Sequence, residues 1–209
     1  MKMPPGPYTQ AIIALTSIVW LALWLTGWLD ISGMLGGFIP ARVGGLAHVA
    51  GALPVWLTPL SAALLHANLV HLGFNMLMLA FCGRFTESAI GARPYLLLYV
   101  VGAYAAAAAQ YLAGPASTVP MVGASGAISA VVGAYAMLYG QQKTRAVGPF
   151  SATLVHVAWL AAAWIVVQIM FELAMSGGAT QIAIAAHIGG FIAGLILARP
   201  LLIWHYRHA

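Results

Sequence analysis

Apolar runs long enough to cross a lipid bilayer, following one another with little between them, constrain this chain more than anything else in its sequence. A hydrocarbon layer about 30 Å thick needs about 20 apolar helical residues to span it. Six stretches meet that length, at roughly 11–29, 60–82, 94–113, 121–140, 153–175 and 179–198. Only 5% of the residues are charged, against roughly one quarter in a soluble domain, so a surface facing water on all sides cannot be built. The expected fold is an all-α polytopic membrane protein with six transmembrane helices, forming one domain over 1–209 with no separate soluble domain.

The first stretch follows Lys2 and superficially resembles a signal peptide. Its apolar length, its Trp20, Trp24 and Trp28, and the lack of a small-x-small cleavage site mark it as a span. Asp30 to Pro59 forms a connection rich in glycine, with Pro40, Pro54 and Trp56, and is expected to lie in the membrane interface. An even number of spans puts both ends of the chain on one side, which the basic residues can test. Lys2, Arg84, Arg93, Lys143, Arg145, Arg199 and Arg207 fall on that side and Arg42 alone on the other. The reading is therefore termini in the cytoplasm, in a membrane expected to be a bacterial inner membrane. The net charge of +5 comes from these scattered residues; without a basic cluster it gives no reason to expect a nucleic-acid partner. Cys82 is the only cysteine, so no intrachain disulfide can form.

Polar side chains inside membrane spans are costly and point to function. Here they gather in three segments: HANLVHLGFNM, where His71 and Asn75 share a helix face and His66 precedes them; MVGASGAIS, with Ser125 between Gly123 and Gly126; and AAHIGGFIAG, with His187 followed by Gly190 and Gly194. At 1.5 Å per helical residue, Ser125 is expected about 8 Å below Pro120 and His187 about 12 Å below Ala179. Both depths run from the non-cytoplasmic side, so one cavity opening outward joins the three segments. Ser125, Ser129 and Gly133 form a small-residue stripe on the fourth span, matched by His187, Gly190 and Gly194 on the sixth, and such stripes let helices approach closely in a membrane.

A serine hydroxyl becomes a nucleophile when an imidazole within reach removes its proton. Ser125 and His187 supply that pair. His71, Asn75 and the Ser125 backbone N–H are donors suited to an oxyanion, and a helix starting near Ser125 adds its dipole. Gly123 and Gly126 are expected to let substrate backbone approach. The carboxylates are only Asp30, Glu87 and Glu172, none within these motifs, which predicts a dyad rather than a triad. Glu172 is expected at the interface or in a structural role, and Glu87 as partner of a nearby arginine. His48 and His156 belong to no motif, the tail residues His205 and His208 read as interface or solvent residues, and Cys82 reads as a small core residue. Zinc on His66, His71 and His187 is disfavoured without HExxH or a neighbouring carboxylate; no metal or cofactor is expected.

At these residues the chain resembles the rhomboid family of intramembrane serine proteases, from about Pro59 to Gly194. His66, His71 and Asn75 match its second-helix pattern; Gly123, Ser125 and Gly126 match its GxSG motif; Ala186, His187, Gly190 and Gly194 match its AHxxGxxxG motif. The resemblance implies a rhomboid-like bundle, Ser125 as nucleophile, His187 as base, His71 and Asn75 as oxyanion stabilisers, a structural His66, and transmembrane proteins as substrates. Two positions depart from the pattern. Ser129 stands where many members carry a tyrosine, and Trp56 is followed by Leu57 where a Trp-Arg pair is common. The competing function is non-enzymatic, either a rhomboid-like pseudoprotease that binds transmembrane clients without cleaving them or a small transporter. Retention of Ser125 and His187 weighs against the first, and the lack of a repeat with paired ion ligands against the second.

Overall fold

The computed structural model describes residues 3–140, 144–175 and 183–207, with side chains over the same ranges except 167–175. The expectation for Glu172 and those for Lys2, Lys143 and His208 fall outside the described residues or side chains. The regular elements among the described residues are all helices, as the apolar runs require. Pro7–Leu25 (α1), the continuous Leu69–Ile90, Ala92–Ala113 (α7) and Ile184–Arg207 (α10) are each long and apolar enough to cross a membrane, and the protein is an integral membrane protein. Ser125–Tyr139 (α8) and Ala152–Met175 (α9) complete the bundle. Leu29–Gly36 (α2), Pro40–Val43 (α3) and Thr58–Ala62 (α4) lie in the first long connection and its end.

Several boundaries differ from the periodicity reading, each for a local reason. Helix α1 starts at Pro7, whose fixed φ and missing N–H suit a first helical turn, and ends before Gly27, which turns the chain at φ +72°. The predicted span 60–82 is two pieces. After α4 the chain runs non-helical until the Asn68 side chain accepts the His71 N–H at 2.8 Å and caps a new helix. That helix runs as Leu69–Met78 (α5), passes through a π-helical turn at Leu79–Gly83 and continues as Arg84–Ile90 (α6). Gly91, at φ +79°, makes the turn into α7 and leaves room for the His205 ring, which a Cβ would strike. His205 is thus half-buried packing and not a free tail residue.

Helix α8 is the centre of the bundle, its residues from Gly126 to Ala134 all buried. It packs against α7 and α10, which also pack on each other. Glycine makes these crossings close. A Cβ at Gly190 or Gly194 would meet the carbonyl oxygens of Gly126 or Ala130 on α8, and one at Gly133 would meet that of Phe191 on α10. The face of α8 in contact therefore centres on Gly126, Ala130 and Gly133, rotated slightly from the expected Ser125–Ser129–Gly133 stripe. Ser129 still touches it, with its Cβ 3.3 Å from the position a Gly190 Cβ would take. Helix α9 adds a stack of Trp164 on Phe191, with centroids 5.1 Å apart.

The far end of the bundle is held by Glu87. Its buried carboxylate accepts the Thr9 N–H at 2.8 Å, the Thr9 hydroxyl at 2.7 Å and the Tyr8 N–H at 3.1 Å. It thus caps α1 from another helix, where the helix dipole favours a negative charge. The expected arginine partner is replaced by this helix end, because three amide and hydroxyl donors solvate a buried carboxylate without a second buried charge.

The first long connection is tied down at several points. Arg42 Nη2 donates to Leu53 O at 2.7 Å, Tyr104 donates to Trp56 O at 2.9 Å, and Ser61 Oγ donates to Gly36 O at 2.6 Å. Arg42 thus closes the loop on itself from a sequence position remote from Trp56.

Candidate active site

Helix α8 has 15 residues, about 22 Å at 1.5 Å per residue, which is shorter than a bilayer's hydrocarbon core. Its flanking partners α7 and α10 have 22 and 24. Gly126 packs on Ala106 while α7 continues to Ala113, about 10 Å farther, so Ser125 lies below the end of α7 because α8 starts late. It is the first helical residue, and Pro120 to Ala124 before it are not helical, so the expected depth along a helix from Pro120 does not apply. The corresponding depth of His187 runs from Ala179, outside the described residues.

Backbone at such depth must have its polar groups satisfied. The segment before Ser125 manages this by pairing with the first long connection and its short helices. Met121 and Phe38 exchange N–H···O bonds of 2.8 and 3.0 Å, Ala41 N–H donates to Ser117 O at 2.9 Å, and Gly123 N–H donates to Ala62 O at 2.9 Å. Gly123 sits at φ +121°, which only glycine adopts without strain. It also has no space for a side chain: a Cβ there would lie 2.7 Å from His71 Cε1, 2.8 Å from His71 Nε2 and 3.6 Å from Ser125 Oγ.

These contacts bring three of the four expected groups together. His187 Nε2 lies 2.7 Å from Ser125 Oγ, and the His71 ring lies against Gly123 beside that hydroxyl. His187 is buried on α10 one turn above Phe191, and its Nδ1 has no hydrogen-bond partner among the described residues. Asn75 is also buried, and one of its amide hydrogens goes to its own helix, donated to His71 O at 2.9 Å. Helix α8 presents its first-turn N–H groups, which lack intrahelical acceptors, on the Ser125 side.

Gly126 departs from expectation. It is buried between neighbours, its Cα facing Ala106 of α7 and its carbonyl facing Gly190 of α10, so it serves helix packing and is not open to substrate backbone. Ser129 places no ring near His187; its hydroxyl donates to Ser125 O at 2.7 Å within the same helix. His66 lies outside any helix and accepts the Ala124 N–H at Nε2, 3.3 Å away. Its sequence signal was its place in the motif, but the atom it holds could not be read from spacing. His156 is buried near Gly140 at the end of α8, and Cys82 is a buried free thiol in the π-helical turn; neither approaches the site.

The assembled chemistry is a hydroxyl against an imidazole, flanked by a second imidazole and a helix N-terminus, in a recess between three membrane helices. A sequence model of the rhomboid domain matches residues 54–204, which hold all of these groups. The chain is 28% identical over 198 residues to the rhomboid protease GlpG of Pectobacterium atrosepticum, covering 95% of this chain and 64% of that protein. It is 28% identical over 194 residues to the rhomboid protease GluP of Bacillus subtilis, covering 93% of this chain and 34% of that protein. With GlpG of Serratia proteamaculans it shares 29% identity over 210 residues, covering 66% of that protein. The chain thus spans about two thirds of the GlpG proteins and one third of GluP. With the domain match extending over most of its length and reaching every residue of the recess, the chain belongs to the rhomboid family.

Proposed function

We propose that this chain is an intramembrane serine endopeptidase that hydrolyses peptide bonds in or near transmembrane segments of membrane proteins. The observation that carries the reading is the 2.7 Å separation of Ser125 Oγ and His187 Nε2. With Nε2 unprotonated, Ser125 donates its hydroxyl hydrogen to it, and proton transfer accompanies attack of Oγ on the scissile carbonyl carbon. The carbonyl oxygen becomes an oxyanion, stabilised by the Ser125 N–H, His71 and the second amide hydrogen of Asn75. His187 then returns the proton to the leaving amine as the C–N bond breaks. Water, activated by the same imidazole, attacks the acyl-enzyme ester and releases Ser125 with a carboxylic acid product. His187 works without an acid, as a dyad, and the missing side chain at Gly123 lets the His71 ring lie beside the Ser125 hydroxyl.

The names of the bacterial relatives, each a rhomboid protease, support the reaction class. They also support a bacterial inner membrane as the location. The seven-to-one distribution of basic residues supports cytoplasmic termini and a recess that opens outward to water. The partners in this reading are transmembrane substrates and the bilayer, with no nucleic acid, and the domain is a single one with its motif-bearing core at about 59–198.

The test is cleavage of a transmembrane substrate in proteoliposomes. Ser125→Ala and His187→Ala should each reduce it to background, a loss of at least about 10³-fold, with the double variant little slower than either single because the two act as a unit. A serine-directed phosphonate should label wild type at Ser125 and label His187→Ala far more slowly. Full proteolysis by Ser125→Ala would end the reading. The orientation is tested separately: a reporter fused at the C-terminus should report the cytoplasm, and an external signal would reverse it.

A further inference from the structure

Three amides that lead into the Ser125 helix are each held by a different part of the chain: Met121 by Phe38 O, Gly123 by Ala62 O and Ala124 by His66 Nε2. Two of these acceptors are backbone carbonyls, which the fold supplies whatever residue stands there. The third is a side chain. Ala124 is fully buried and His66 is 2% exposed, so water cannot replace the imidazole if it is removed, and a buried N–H without an acceptor is costly.

A backbone amide can only donate, so the nitrogen facing it must carry a lone pair. In a neutral imidazole that places the proton on Nδ1. The same ring stands edge-on to His71, with centroids 5.0 Å apart and planes at 65°, and His71 in turn lies on Gly123. His66 and His71 therefore grip consecutive residues, one through the Ala124 amide and the other across the Gly123 Cα. The next residue is Ser125. We infer that His66 is a positioning residue for the nucleophile: by accepting the Ala124 N–H it fixes the turn from which the Ser125 hydroxyl and the Ser125 N–H are aimed. This rests on the serine protease reading above and adds to it a role for a side chain that touches neither substrate nor the reacting atoms.

A ring that merely filled space would be replaceable by an apolar residue of similar size. An acceptor is replaceable only by another acceptor at the same place, and glutamine Oε1 reaches about where Nε2 lies. In the full-length protein in detergent, His66→Leu should lower kcat by about 10²-fold, the cost of a misplacement of about 1 Å at a reacting group, with KM unchanged. His66→Gln should recover kcat to within a few-fold of wild type. Nitrogen NMR of ring-labelled wild type should show His66 protonated at Nδ1 and bare at Nε2, and Ser125→Ala should show the same tautomer while losing cleavage. A protonated Nε2, wild-type kcat in His66→Leu, or a folded His66→Gln with kcat lowered by about 10²-fold would overturn the inference. If His66→Leu does not fold, the tautomer and the glutamine variant still decide it. Cleavage by Ser125→Ala with the Nδ1–H tautomer intact would overturn the protease reading instead, so the two failures are distinguishable.

Discussion

Two buried polar clusters lie toward opposite ends of the same bundle, and they are built in opposite ways. At one end Glu87 accepts three hydrogen bonds from Tyr8 and Thr9, close to Gly83 and Tyr95, whose hydroxyl oxygen would be 2.7 Å from a Cβ at 83. At the other, along α7 by about 16 Å from Tyr95 to Ala106, Ser125 and His187 share one contact, and His187 Nδ1 has no partner among the described residues. In the first cluster both oxygens of the carboxylate are committed to the fold. The second keeps donors and lone pairs uncommitted, which costs stability and is what a reacting site requires. Position in the membrane alone does not distinguish them; the three hydrogen bonds on Glu87 against the single contact of Ser125 with His187 do.

Two variants probe that difference, and they should separate activity from stability. The larger effect is expected at the recess. His71→Ala together with Asn75→Ala should lower kcat/KM on the order of 10²–10³-fold, the range for loss of an oxyanion donor, while the unfolding midpoint in detergent stays close to wild type. Cleavage at the wild-type rate by the double variant would remove both residues from the site. The smaller effect belongs to the other cluster. Glu87→Ala should destabilise the fold by about 3 kcal/mol, the scale of charge-assisted hydrogen bonds lost with buried donors left behind, yet the folded fraction should cleave at the wild-type rate. Glu87→Ala lowering kcat without lowering the unfolding midpoint would erase the contrast between the two ends.

The small-residue crossing lies between these extremes and links them. Gly190 and Gly194 let the α10 backbone meet that of α8, and this contact brings His187 onto Ser125. The expected stripe had the right helices and the right residues on α10, but on α8 the contact turns toward Gly126 and Ala130. A helical wheel locates a face to within about one residue, and which neighbour occupies that face depends on the third helix; here Ala106 of α7 presses on Gly126 from the other side. The span boundaries show a similar limit. Hydropathy averages over the break at 63–68 because Ala63, Leu64 and Leu65 are as apolar as the helices beside them, whereas the chain breaks there to offer Ala62 O and His66 Nε2 to the loop before Ser125.

Where motif residues are absent, the local hydrogen bonds are ones that spacing could not reveal. Without an arginine after Trp56, the first long connection is closed by Arg42 on Leu53 O and by Tyr104 on Trp56 O. Without a tyrosine at 129, the serine there satisfies its hydroxyl on the Ser125 carbonyl.

By itself the sequence determined that the chain is a helical membrane protein, because a composition with 5% charge leaves lipid as the only solvent for most of its surface. It also singled out Ser125, His187, His71 and Asn75 as candidates, because polar side chains in apolar helices are costly. Only the tertiary structure decided that α8 starts late enough to recess Ser125, that Glu87 caps α1 across seventy-eight residues, and that His66 holds the Ala124 amide. Those outcomes depend on where a backbone N–H or carbonyl left over from one element finds its partner on another, and pairings between distant segments leave no periodic signal in the sequence.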